Sequence, residues 1–197
     1  MMFVLALLFF AEAPELDCRH DREALLALNE HAFDQDMAGG WRALQERGCI
    51  AQAADLIRDY REAKPRINLG NLAWHEGQLR AILGQNDAAI MLFGAARKPA
   101  SQDIIGWNHY VDGSIAFLRH DRAGLQRARK TLAVLPRPSG LPVFKMNGQS
   151  VPMAWPLNLN VLDGFLKCFD RPYQQAYATA ACTVSAKITA QDKKPAN

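Results

Sequence analysis

Lysine and arginine never run three together in this 197-residue chain, and the net charge is only +3. That excludes the clustered basic surface by which a protein grips nucleic acid, so no nucleic-acid partner is expected. No apolar run reaches the roughly 20 residues that a membrane-spanning helix needs. There is no C-x-x-C, which removes a thioredoxin-type redox centre and a zinc knuckle. No phosphate loop and no G-x-S-x-G elbow occur. His75-Glu76 opens like a zinc-protease motif, but Leu79 stands where the second histidine belongs. No cofactor and no metal are expected. What remains is an ordinary globular composition, 49% hydrophobic and 22% charged, in a length that suits one domain with a real core.

The ends differ from the middle. Phe3 to Phe10 is unbroken apolar sequence, followed by Ala11-Glu12-Ala13. That is the pattern of a secretory leader with an A-x-A processing site, so residues 1–13 are expected to be a signal peptide and the protein to be exported, to the periplasm. No membrane span is expected after processing. Four cysteines, Cys18, Cys49, Cys168 and Cys182, suit that compartment. They allow three pairings. Cys18–Cys49 and Cys168–Cys182 are favoured, because each pair brackets a local group of helices.

The strongest internal signal is a repeat. Trp74-His-Glu76-Gly77-Gln78-Leu79 aligns with Tyr110-Val-Asp112-Gly113-Ser114-Ile115, 36 residues on. The register continues, with Gly84, Ala89, Phe93 and Ala96 matching His120, Leu125, Arg129 and Leu132. A fainter copy upstream is Gly48, Ala53, Ile57 and Tyr60. A fixed period in the thirties is the mark of stacked helix pairs.

Most of the chain reads as helix. Asp21 suits the cap of a helix through Leu25, Leu26 and Leu28, broken at Gly39-Gly40. Helices are expected over about 50–64, 67–83 and 86–96. Ser101 or Asp103 caps the next, through Phe117, and Asp121 caps one running to Leu135. Between Pro136 and Pro156, six residues, Pro136, Pro138, Gly140, Pro142, Pro152 and Pro156, forbid helix. Asn147-Gly148 there is a hairpin signal, because both turn positions accept positive φ. Two final helices are expected, about 157–169 and 172–181, with a polar tail over 183–197. No linker divides 14–182 into two domains.

Gly77, Gly84, Ala89, Phe93 and Ala96 reproduce the small and aromatic positions of tetratricopeptide repeats. The chain resembles that family over about half its length. Two copies lie near 71–98 and 107–135, with a degenerate one before them. Three features depart from the pattern: the period is slightly long, His120 replaces the turn glycine, and Arg129 replaces an apolar residue. The resemblance implies an all-α fold, an antiparallel helix-hairpin solenoid, with the Pro-rich hairpin segment inserted before the last helix pair. It also implies a concave groove that binds peptides, lined by the first helix of each repeat. Carried over, the groove positions are Asn71, Trp74, Gln78 and Ala81, then Trp107, Tyr110, Ser114 and Phe117.

Independently, these residues step by three, four and three, which puts each set on one helix face. Aromatics with amide and hydroxyl neighbours suit a peptide or glycan surface. The same stripe also suits a packed core. A second constellation is polar: Glu76 and Arg80 are one helical turn apart, as are His109 and Asp112. They read either as helical ion pairs or as an acid–histidine–acid site. The leading expectation is a non-enzymatic binding module for a peptide or protein segment. The alternatives are a small hydrolase or metal protein using Glu76, His109 and Asp112, and an accessory subunit of an envelope assembly.

Overall fold

The computed structural model describes residues 16–64, 70–139, 144–146, 149–151 and 153–186. The leader, the Asn147-Gly148 turn and residues 187–197 of the tail lie outside them. The described chain is all-α apart from one short ribbon. Helix α1 spans Arg22–Ala27 and a π-helical turn spans His31–Gln35; α2 is Arg42–Glu46 and α3 is Ile50–Ala63. Then come α4 (Gly70–Ile82) and α5 (Asn86–Ala95), followed by α6 (Trp107–Leu118) and α7 (Arg122–Ala133). Strands β1 (Phe144–Met146) and β2 (Gln149–Val151) pair antiparallel, with Lys145 opposite Ser150. Helices α8 (Leu159–Lys167) and α9 (Tyr173–Ala178) close the chain.

Local chemistry sets the helix starts. The Asp21 carboxylate accepts from Ala24 N at 3.0 Å, and that of Asp121 from Gly124 N at 2.7 Å. Each occupies a first-turn amide that no carbonyl reaches. Asp103 accepts from both Trp107 N and Asn108 N, at 2.6 and 3.0 Å, and so opens α6. The two hairpin turns share a backbone shape. Gly84 has φ +73° and its counterpart His120 has φ +54°. The second turn keeps the left-handed conformation although glycine is gone.

Helix α1 ends earlier than its apolar pattern predicts. Leu28 turns extended, and its carbonyl accepts from Tyr60 Oη at 2.9 Å and Lys64 Nζ at 2.5 Å. These tertiary bonds compete with another helical turn. Beyond α7, the described part of the Pro-rich segment carries no helix, as its prolines demand. It returns to the preceding helices: Trp155 Nε1 donates to Leu135 O at 2.9 Å.

Adjacent helix pairs pack against one another, α3 on α4, α4 on α5 and α6 on α7. Two apolar clusters result, with α4 between them. Leu72 and Leu79 face Phe33, Leu44, Ile57 and Tyr60. Ala73, Trp74 and Ala81 face Phe93, Tyr110 and Phe117. The repeat glycines sit at close approaches. Gly77 lies against Phe93 of α5, whereas Gly113 lies against Leu162 of α8. The swap follows from Arg129: it stands where Phe93 stands in the first copy, and it turns instead to Asp163 at 2.7 Å. An apolar side chain from α8 fills the vacated space. Cys18–Cys49 and Cys168–Cys182 are both bonded. Two disulfides fit an oxidising compartment. Among the described residues no helix is long and apolar enough to cross a membrane.

Candidate functional site

The aromatics of α4 and α6 form one group, in which Trp74 stacks on Phe93 of α5 and meets Trp107 edge-on and Tyr110 at a tilt. Trp74 lies 4.2 Å from Phe93, 4.7 Å from Trp107 and 5.0 Å from Tyr110, between ring centroids. Trp74 is 5% exposed and Tyr110 3%, so most of their surface is core. Their remaining edges, however, open onto a hollow of about 350 Å³. Asn71, Trp74, His75 and Gln78 of α4 line it, together with Trp107 and Tyr110 of α6. Gln35, Arg42, Asn158 and Tyr177 complete the wall. The structure thus brings together five of the groove positions read from sequence: Asn71, Trp74, Gln78, Trp107 and Tyr110.

Ser114 and Phe117 are elsewhere. Ser114 is fully buried, and its hydroxyl donates back to Tyr110 O at 2.9 Å. Phe117 stacks on Phe165 at 4.5 Å, with Phe169 and Tyr173 around it. Helices α8 and α9 therefore cover that end of the α6 face. Helix α9 also packs on α4 and carries Tyr177 to the edge of the hollow. The Tyr173 hydroxyl is buried and completes no hydrogen bond of good geometry; Gln78 is the amide that reaches toward it. Burial pushes the Tyr110 hydroxyl well above its ordinary pKa, with Tyr173 and Tyr177 adding to the effect. Both buried phenols stay neutral.

One wall of the hollow comes from before the repeats. Gly40 has φ +54°, and a Cβ there would sit 2.0 Å from Phe33 O. This tight reversal folds Trp41 and Arg42 back onto the π-helical turn. Asp34, 1% exposed, then receives three side-chain donors. Its Oδ1 accepts from His75 Nδ1 at 2.7 Å and Trp41 Nε1 at 2.9 Å, and its Oδ2 from Gln35 Nε2 at 2.5 Å. Arg42 Nε donates to Asp34 O at 2.9 Å, and Arg42 Nη2 lies 4.0 Å from the carboxylate. Burial alone would raise the Asp34 pKa. The bonds from His75, Trp41 and Gln35 outweigh it and hold the group below its ordinary value. An ionised carboxylate only accepts, so Nδ1 of His75 carries the proton. No described residue supplies a hydrogen-bond partner for Nε2, and His75 is among the residues that line the hollow.

The polar constellation read from sequence separates into two groups. Glu76, 4% exposed, faces α3: Arg61 of α3 and Arg80 of its own helix both engage it, and Arg80 also reaches Asp55 of α3 at 2.8 Å. Asp112 pairs with Arg97. His109 and Asp112 share a different, larger hollow along α5, α6 and α7, and Glu76 does not line it. Among the described residues no group of three His, Cys, Asp or Glu stands placed to hold a metal ion.

Sequence reasoning missed Asp34, Gln35, Arg42, Asn158 and Tyr177, and took His75 only as half of a zinc motif. The one local clue was Gly39-Gly40 beside Trp41, which marks a sharp reversal but not its destination. Compared with protein families, with characterised proteins and with solved structures, the chain matches none.

Proposed function

We propose that this protein is an exported, tetratricopeptide-like binding module of the cell envelope, and that it seats a peptide or protein segment in the hollow between α4 and α6. The observation that carries this reading is the convergence of Asn71, Trp74, Gln78, Trp107 and Tyr110 on one concavity. Amide side chains offer a donor and an acceptor each, which is what a peptide backbone requires. Aromatic edges add apolar contact at little entropic cost. The bonded cysteines and the apolar leader support export and a periplasmic address.

A pooled library of free octapeptides tests the reading, with intrinsic tryptophan fluorescence as the readout. Asn71→Ala and Gln78→Ala each remove about 1 kcal/mol of hydrogen bonding, so binding should weaken about fivefold; the melt should be unchanged in Asn71→Ala and lower in Gln78→Ala, which also strips the buried Tyr173 hydroxyl of the amide that reaches toward it. Trp74→Ala should instead cost about 3–5 kcal/mol of folding stability, because the ring is core on most of its surface. Binding that survives both amide truncations at wild-type strength would overturn the assignment.

A further inference from the structure

The hollow holds more than a binding surface needs. His75 lines the hollow and is oriented by a buried carboxylate that holds three side-chain donors, while its second nitrogen has no hydrogen-bond partner among the described residues. A structural histidine is held at both ends; this one is held at one. We propose that Asp34 and His75 form an acid–base dyad that hydrolyses a small carboxylic ester bound in the hollow, with water as the nucleophile. The inference rests on the hollow being a ligand site, and goes beyond the reading of a passive binder.

The side chains around His75 select this chemistry. Among the described residues no serine, threonine or cysteine lines the hollow, so none of them offers a nucleophile for an acyl-enzyme there. Glycoside cleavage needs two working carboxylates, and Asp34 is sealed and saturated. Phosphoryl transfer needs several cationic groups, and among the described residues Arg42 is the one arginine or lysine in the lining. Acyl hydrolysis asks for one positioned base and one or two oxyanion donors. His75 supplies the base. Arg42 spends Nε on Asp34 O, has Nη2 4.0 Å from the Asp34 carboxylate and stacks its guanidinium on Trp41; it and Asn71 line the hollow, and they are the groups assigned to the oxyanion.

The step balances without a further reactant. Nε2 takes a proton from water as the water oxygen bonds to the carbonyl carbon. The carbonyl π pair moves onto its oxygen, where Arg42 and an amide N–H meet the charge. The oxyanion then collapses, the bond to the alcohol oxygen breaks with its electron pair, and Nε2–H returns the proton to that oxygen. One water and one ester give one acid and one alcohol. Asp34 stays ionised throughout and stabilises the imidazolium.

p-Nitrophenyl acetate is the probe, with the whole protein and p-nitrophenolate release as readout. The chain has five histidines, so free imidazole at five times the protein concentration sets the background. Wild type should exceed it by on the order of 10²-fold and turn over repeatedly. His75→Gln keeps a donor for Asp34 and should fall to background. Asp34→Asn should lower kcat on the order of 10²-fold with KM little changed. Among the described residues, the charged and titratable groups around His75 are Asp34 on the π-helical turn, Arg42 on α2, Tyr110 on α6 and Tyr177 on α9. A merely structural His75 would move the melt and leave kcat alone. Should the variants not fold, diethyl pyrocarbonate on wild type should abolish hydrolysis and hydroxylamine restore it. Wild-type rates at the imidazole background, or full activity after His75 is replaced or modified, would overturn the dyad. Octapeptide binding that persists alongside such a result would leave the binding reading standing.

Discussion

The same substitution, glycine to alanine, should have opposite signs at two helical positions of the first repeat. Gly94 lies in α5, and a Cβ built there meets nothing within 4 Å. Alanine loses less backbone entropy on folding, so Gly94→Ala should stabilise by about 0.5–1 kcal/mol. Gly77 lies in α4, and a Cβ there would sit 2.7 and 2.8 Å from two ring carbons of Phe93, and 3.2 Å from Leu92 Cβ. Phe93 is fully buried and stacked on Trp74 at 4.2 Å, so its ring has no room to retreat. Overpacking of that kind costs about 1–3 kcal/mol. Set against the propensity gain, Gly77→Ala should destabilise by about 1–2 kcal/mol. In a chain of this length each kcal/mol moves Tm by about 2–4 °C. Gly77→Ala should therefore melt lower by about 2–8 °C, and Gly94→Ala higher by about 1–4 °C. Calorimetric melts of both variants, with urea midpoints as a second measure, decide it. If Gly77→Ala raises stability as much as Gly94→Ala does, the claim that this glycine lets α5 approach α4 is wrong.

Two further outcomes are expected. Replacing either cysteine pair by serines should cost about 3 kcal/mol or more in urea melts, with Cys18–Cys49 the costlier because it closes 31 residues against 14; the reverse order would count against the loop-entropy account. The Asp34 pKa is depressed in the folded state, so its contribution to stability is complete above the unfolded value of about 3.9 and is lost as pH falls through the folded value. Asp34→Asn should flatten stability against pH in that acid window, and an unchanged slope would show that the buried carboxylate is not what titrates there.

The helix starts at Asp21 and Asp121 were legible because a cap is a contact within three residues of its partner. The hairpin turns at Gly84 and His120 were legible because the 36-residue register marks both, even where glycine is absent from one. Stepping by three and four put Trp74 with Gln78, and Trp107 with Tyr110, because helix geometry alone decides which residues share a face. Cysteine pairing followed from which helices each pair encloses. The sequence could not say where α1 stops, because the donors to Leu28 O come from Tyr60 and Lys64, on the far side of α2. Nor could it say that Leu162 would fill the space left by Arg129, that Ser114 would be buried, or that α8 and α9 would cover Phe117. Asp34 and His75 are 41 residues apart and belong to no common motif. Their meeting depends on the Gly40 reversal, on α3 packing against α4, and on the burial that makes an ionised carboxylate require every donor it has. Burial and long-range pairing are properties of the assembled core, and only the tertiary structure decided them.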